Sequence, residues 1–240
     1  MTMGTGIVAV LLISIPFQAR WLYWLSVIFF VLNTILFSAA FVISLLRYTL
    51  YPEIWGVMVR DPVNSLFLGC VPMGFATLIN MWVSVCVPAW GPWAVTFGWV
   101  LWMIDSVVAA AVALSLGFLM YANPFMPPLT YIQWVSYYLA SMSSEYQTSL
   151  DKITAAQLLP VVAPIVAAGS GSKVAAVLPN PQHVLGTLIT SYVLWGIGIP
   201  LAMTVLVMYY HRLMIHKLPP REAIVSCFLP LGPMGMGGFT

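Results

Sequence analysis

Residues 226–239 read S-C-F-L-P-L-G-P-M-G-M-G-G-F. The stretch is apolar enough to enter a bilayer, yet its two prolines and four glycines are the residues that spoil a helix. An echo of it lies far upstream. Ser65, Phe67, Leu68, Pro72, Met73 and Gly74 recur as Ser226, Phe228, Leu229, Pro233, Met234 and Gly235, at a constant offset of 161 residues. That is an internal repeat, and it bears on the whole fold. In membrane proteins, paired apolar segments broken by Gly and Pro in corresponding places point to a substrate path.

Composition says which solvent the chain meets. Of its 240 residues, 62% are hydrophobic and 6% charged, with a mean hydropathy of +0.99. A soluble domain carries about 25% charged residues, so most of this surface faces lipid and the chain is an all-α membrane protein. The net charge of +2 gives no reason to expect a nucleic-acid partner. Cys70, Cys86 and Cys227 all fall in apolar runs, with no disulfide framework or metal-ligand spacing. No metal, other cofactor or catalytic constellation is expected. Residues 1–17 lack the basic start and cleavage site of a signal peptide.

A spanning helix needs about 20 mainly apolar residues. Seven candidates follow: 1–17, 21–46, 66–87, 93–121, 155–171, 184–210 and 223–240. Short links such as 16–20 and 88–92 make neighbours antiparallel, so the chain reads as helical hairpins. With the N-terminus in the cytosol, inner links carry Arg47, Arg60, Lys152, Arg212, Lys217 and Arg221, and outer ones only Arg20 and Lys173. That asymmetry favours a cytosolic N-terminus. Residues 122–153 test the scheme. Their apolar, aromatic patch, 129–142, is too short to cross, and reads as part of a cytosolic and interfacial loop.

The segments alternate in kind. The second has no Gly or Pro between Trp21 and Tyr51, and the fourth only Gly98 and Gly117. The odd ones are broken: Gly4 and Gly6; Gly69, Pro72 and Gly74; Pro160, Pro164, Gly169 and Gly171; Pro230, Gly232, Pro233 and Gly235. The sixth is an exception, with Gly196, Gly198 and Pro200. A proline strands a carbonyl, and unsatisfied backbone is not tolerated against lipid. The odd segments therefore belong inside, around a pore, and the even ones on the rim. Close packing of small residues is the competing explanation. No Lys, Arg, Asp or Glu falls in the odd segments, so such a path would offer backbone groups and the hydroxyls of Thr5, Thr77, Ser170 and Ser226. Loose coordination of this kind suits fast release.

Here the residues become recognisable. M-G-T-G-I-V-A-V-L-L (3–12), R-Y-T-L-Y-P-E-I-W (47–55), S-L-F-L-G-C-V-P-M-G-F (65–75), L-L-P-V-V-A-P-I-V-A-A (158–168) and L-P-P-R-E-A-I-V-S-C-F-L-P-L-G-P-M-G (218–235) resemble the tellurite-resistance/dicarboxylate transporter family, which includes the plant slow anion channels. They look most like its fungal members. The resemblance implies ten helices in five hairpins, odd helices lining a central pore, and a homotrimer. It also implies a small anion as substrate, sulfite or bisulfite first and malate or another C4-dicarboxylate second, moved across the plasma membrane. On that pattern residues 1–240 are one transmembrane transporter domain, with further helices, including the one bearing the gating phenylalanine, beyond Thr240.

Three groups are weighed singly. Asp105 is the one acid inside a span, and is either a proton relay or a hydrogen-bonded acid fixing helix contacts. Arg212, Lys217 and Arg221 either draw anions to the inner mouth or simply anchor the cytosolic side. Pore-lining positions are Gly4, Thr5, Gly6, Gly69, Pro72, Gly74, Pro160, Pro164, Gly169, Pro230, Gly232, Pro233 and Gly235. Seven helices also invite a receptor reading. The charge asymmetry, the lack of an outer cysteine pair and the clustering of breaks in odd segments argue against it. An enzyme would need clustered His, Asp or Cys at membrane depth, and Asp105 stands alone.

Overall fold

Apolar runs divided by Pro and Gly fold into helices joined by tight turns. The computed structural model describes residues 2–16, 19–54, 65–119, 155–216 and 228–239, and no strand occurs among them. The helices are α1 (Thr2–Ser14), α2 (Arg20–Leu50), α3 (Phe67–Trp90), α4 (Pro92–Leu119), α5 (Leu158–Val177), α6 (Pro181–His216) and α7 (Leu231–Phe239). Five of them, α2 to α6, are long and apolar enough to cross a bilayer. The first and last expected spans form helices of 13 and 9 residues, α1 and α7. The expected loop 122–153 lies outside the described residues.

Local chemistry sets the turns. Gly91, at φ 78°, ends α3 in a backbone region that other residues adopt with strain, and Pro92 opens α4. Asn180 caps α6, its side-chain oxygen accepting the Gln182 N–H at 3.0 Å. The fifth helix runs on to Val177 instead of stopping at Gly171, and so takes in Lys173.

The helices form two rows. α1 packs on α3, α3 on α5, and α5 on α7. Behind that row, α2 covers α1 and α3, α4 covers α3 and α5, and α6 covers α5 and α7. Contacts at two levels give directions. A side chain on Gly6 would meet Thr77, and one on Gly74 would meet Thr2, so α1 and α3 run parallel. Gly69 abuts Leu159 while Ser170 reaches the Ala76 carbonyl at 3.4 Å, so α3 and α5 are parallel too. Gly171 abuts Ser191 and Gly198 abuts Ile165, so α6 is antiparallel to α5.

Burial is greatest in the middle of the inner row, whereas α1 and α7 at its ends bury few residues. In its most apolar stretch α5 is 89% buried and α3 56%, whereas α2, α4 and α6 are 11%, 28% and 33% buried. The main core gathers on α5 from Leu158 to Ala168, with Met73, Ala76, Ala109, Leu194, Leu206 and Tyr209 around it.

Candidate functional site

The prolines of the inner row mostly begin helices. Pro72, Pro160 and Pro233 each stand third in a regular α-helical run, starting at Cys70, Leu158 and Leu231. There the missing N–H has no partner to lose within the helix. A 3-10 turn leads into the first two, at Ser65–Gly69 and Ala155–Gln157, and a turn closed by Gly232 N–H on the Leu229 carbonyl, 2.9 Å, leads into the third. The repeat seen in the sequence thus sets two helix starts in register, Cys70 and Leu231. Pro164 and Pro200 stand within long regular α-helical runs, where the carbonyls of Pro160 and Gly196 lose a partner, and Pro88 follows the π-turn Trp82–Cys86 near the end of α3.

The glycines divide into two kinds. Gly6, Gly69, Gly74, Gly171 and Gly198 are packing positions, where a Cβ would press on a neighbouring helix. Gly69 is the tightest against backbone, with Leu159 and Pro160 atoms 2.8 to 2.9 Å from that Cβ position. Gly4, Gly232 and Gly235 face open space. The remaining predicted positions Pro72, Pro160, Pro164, Gly169, Pro230 and Pro233 are buried, and Thr5 is half-buried. Along α5 only the last turns, from Ser172, reach the surface. The described residues therefore enclose no open lumen beside it.

The hydroxyls of the inner row are committed to protein acceptors. Thr5 donates to Asn33 Oδ1 at 2.7 Å, Asn33 Nδ2 donates to Thr77 Oγ1 at 3.5 Å, and Thr77 donates to the Gly74 carbonyl at 2.7 Å. Ser170 donates to the Val166 carbonyl at 3.1 Å. Asn33 is the surprise. It belongs to α2, expected to meet lipid, yet it is fully buried and ties α1 to α3. Ser26, seven residues earlier on the same helix face, donates to the Ala9 carbonyl at 2.9 Å. Ser26 and Asn33, seven apart and so on one helix face, were the available signal, diluted by Thr34, Ser38, Ser44 and Thr49 on the same helix.

Lys and Arg are sorted by end, and Glu53, Asp61, Glu145, Asp151 and Glu222 fall in the same connecting stretches of the sequence. Arg47 and Arg212 lie toward the end where α1, α3 and α5 begin, and the links carrying Arg60, Lys152, Lys217 and Arg221 leave the helices there. Arg212 is buried, and Lys217, Arg221 and Ser226 lie outside the described residues. The opposite end carries an aromatic cluster. Trp90 stacks on Trp93 at 5.6 Å, and Trp82 meets Trp90 and Phe97 at 5.3 and 5.0 Å. Such rings favour the membrane–water boundary.

A family model for the voltage-dependent anion channel matches residues 1–240. The chain belongs to the voltage-dependent anion channel family. Sulfite efflux pumps of Arthroderma benhamiae, Candida albicans and Saccharomyces cerevisiae are 47%, 30% and 29% identical to it. The matches cover 99%, 99% and 100% of this chain and 57%, 45% and 54% of those proteins. It thus spans about half the length of the curated relatives it matches. No solved structure matches it. Membership in an anion-channel family agrees with the likeness read from the motifs. It is not a family of enzymes, and it sets the receptor reading aside. For a member of this family, the parallel inner row gathers the starts of α1, α3 and α5 at the basic end, an arrangement that favours anions.

Proposed function

We propose that the full-length protein moves a small oxyanion, sulfite or bisulfite, out of the cytosol. The observation that carries this is the common direction of α1, α3 and α5. Their N-termini, with positive dipole ends, share the end that bears the basic links. The 46–47% identity to fungal proteins named as sulfite efflux pumps supports sulfite as the anion. Malate or another C4-dicarboxylate is the second reading, carried by the family resemblance alone.

The conduit runs on the open side of the inner row, at α1 and α7, with the buried Gly and Pro positions of α3 and α5 packed behind it. The bare glycine faces of α1 and α7, at Gly4, Gly232 and Gly235, are where lumen space would lie. Lys217 and Arg221 concentrate anions at the cytosolic mouth, while Arg212 is buried at that end. The N-terminus is cytosolic, the 122–153 link stays on that side, and the protein works as a homotrimer in the plasma membrane. The parallel course of α3 and α5 supports the placement of the link, since both its flanking helix ends then lie at the basic end.

The experiment is complementation. Cells lacking their own sulfite exporter, given the full-length protein, should regain sulfite tolerance and export sulfite. Unchanged tolerance with the protein at the cell surface would refute the substrate. Malate uptake in the same cells would favour the second reading.

A further inference from the structure

Asp105 lies in the seam of α4 that faces the inner row, among Ala94, Gly98, Trp102 and Ala109, all buried. It is 1% exposed, and neither carboxyl oxygen has a hydrogen-bond partner among the described residues. One turn away, Trp102 donates to the Ala167 carbonyl at 2.8 Å and so pins α4 to α5. Two more buried polar atoms without partners, Asn80 Oδ1 on α3 and Ser191 Oγ on α6, lie near that level. Trp102 packs with Ile79 and Val83 beside Asn80, and it meets Ser191 across Gly171. Three helices thus each carry a buried polar atom without a partner among the described residues.

Leaving a buried polar group unpaired costs about 1–3 kcal/mol. A structural acid would lower that cost through a hydrogen bond to a neighbouring helix, as Asn33 does, and Asp105 makes none among the described residues. We infer that Asp105 is a proton-binding carboxyl coupled to anion movement. This rests on the transport reading above. A proton adds to a carboxylate oxygen from one side of the membrane and leaves to the other, restoring the carboxylate. No other bond changes. Titratable or charged groups on the elements packed against it are Cys70 and Cys86 on α3 and Lys173 on α5. Beyond these, α6 carries His183, stacked on Trp99 at one end, Tyr192, Tyr209, Tyr210, and His211 and Arg212 at the other end. None bonds to the Asp105 carboxyl.

The test compares full-length wild type, Asp105→Asn and Asp105→Glu in liposomes loaded with sulfite, at clamped membrane potential. Substrate protonation is the same for all three, so only differences between them count. For one proton per anion, a one-unit pH gradient should change wild-type flux by up to about tenfold. Asp105→Asn should move sulfite downhill with the gradient response reduced to that of the substrate alone. A gradient response equal to wild type in Asp105→Asn would overturn the inference. If Asp105→Asn inserts but moves nothing, Asp105→Glu decides: gradient-driven flux supports the proposal, and its loss overturns it. Absence of sulfite flux in wild type would overturn the transport reading, and this inference with it.

Discussion

α2 and α5 are both apolar helices of spanning length, and α2 is the more apolar. Yet α2 is nearly bare and α5 nearly enclosed. In lipid, hydrophobicity does not sort inside from outside, because tails and core side chains are equally apolar. Size and polarity do the sorting. α5 carries Ala167, Ala168, Gly169, Ser170 and Gly171 in succession, which lets α4 and α6 approach closely. α2 carries bulky Ile, Leu and Phe on every face but one, and that face holds Ser26 and Asn33.

The largest test of this contrast is Gly171→Leu. The added side chain would collide with Ser191 and Trp102, which already meet at this glycine. We expect a loss of about 3 kcal/mol or more, seen as loss of a monodisperse, cooperatively melting protein in detergent. Ile35→Leu, an exposed change on α2, should leave the melt unchanged. A tolerated Gly171→Leu would break the comparison.

Asn33→Leu comes next. It makes α2 more apolar but unties Thr5 from Thr77. The expected cost is about 1–2 kcal/mol, read as a lower melting temperature in detergent, since interhelical hydrogen bonds in membranes are worth about that much at most. Thr34→Ala, the exposed neighbour bonded only to its own helix at Phe30, is the control.

Trp102→Phe should cost about 1 kcal/mol by the same measurement. It keeps most of the ring packing but removes the bond to the Ala167 carbonyl.

The smallest stability effect is expected at Gly4 and Gly235, where a methyl group meets nothing. Alanine there should leave folding within about 0.5 kcal/mol or improve it slightly. Anion flux should nonetheless fall in the full-length protein, because the methyl groups enter the proposed lumen. Unchanged flux would mean that these faces meet lipid.

Much of this was written in residue types. The 65–75 and 226–236 repeat reads as a pair of broken segments beside a path; in the structure it sets two regular α-helical runs in register, from Cys70 and Leu231. Broken odd segments and plain even ones foretold two rows. The role of each break was not legible. Pro72, Pro160 and Pro233 look like kinks in a linear reading, but a preceding turn makes them helix starts. Gly6 and Gly4, two residues apart, look alike, and one packs on Thr77 while the other faces nothing.

The residue list alone settled the solvent, the hairpin pattern and which segments would cluster. Composition sets the cost of meeting lipid, and the order of small and bulky residues sets how near two helices can come. Partners were another matter. Whether Asn33 finds Thr5 and Thr77, or Asp105 finds no partner among the described residues, depends on how neighbouring helices rotate about their axes. That rotation comes from summed packing across three helices, which no single segment encodes.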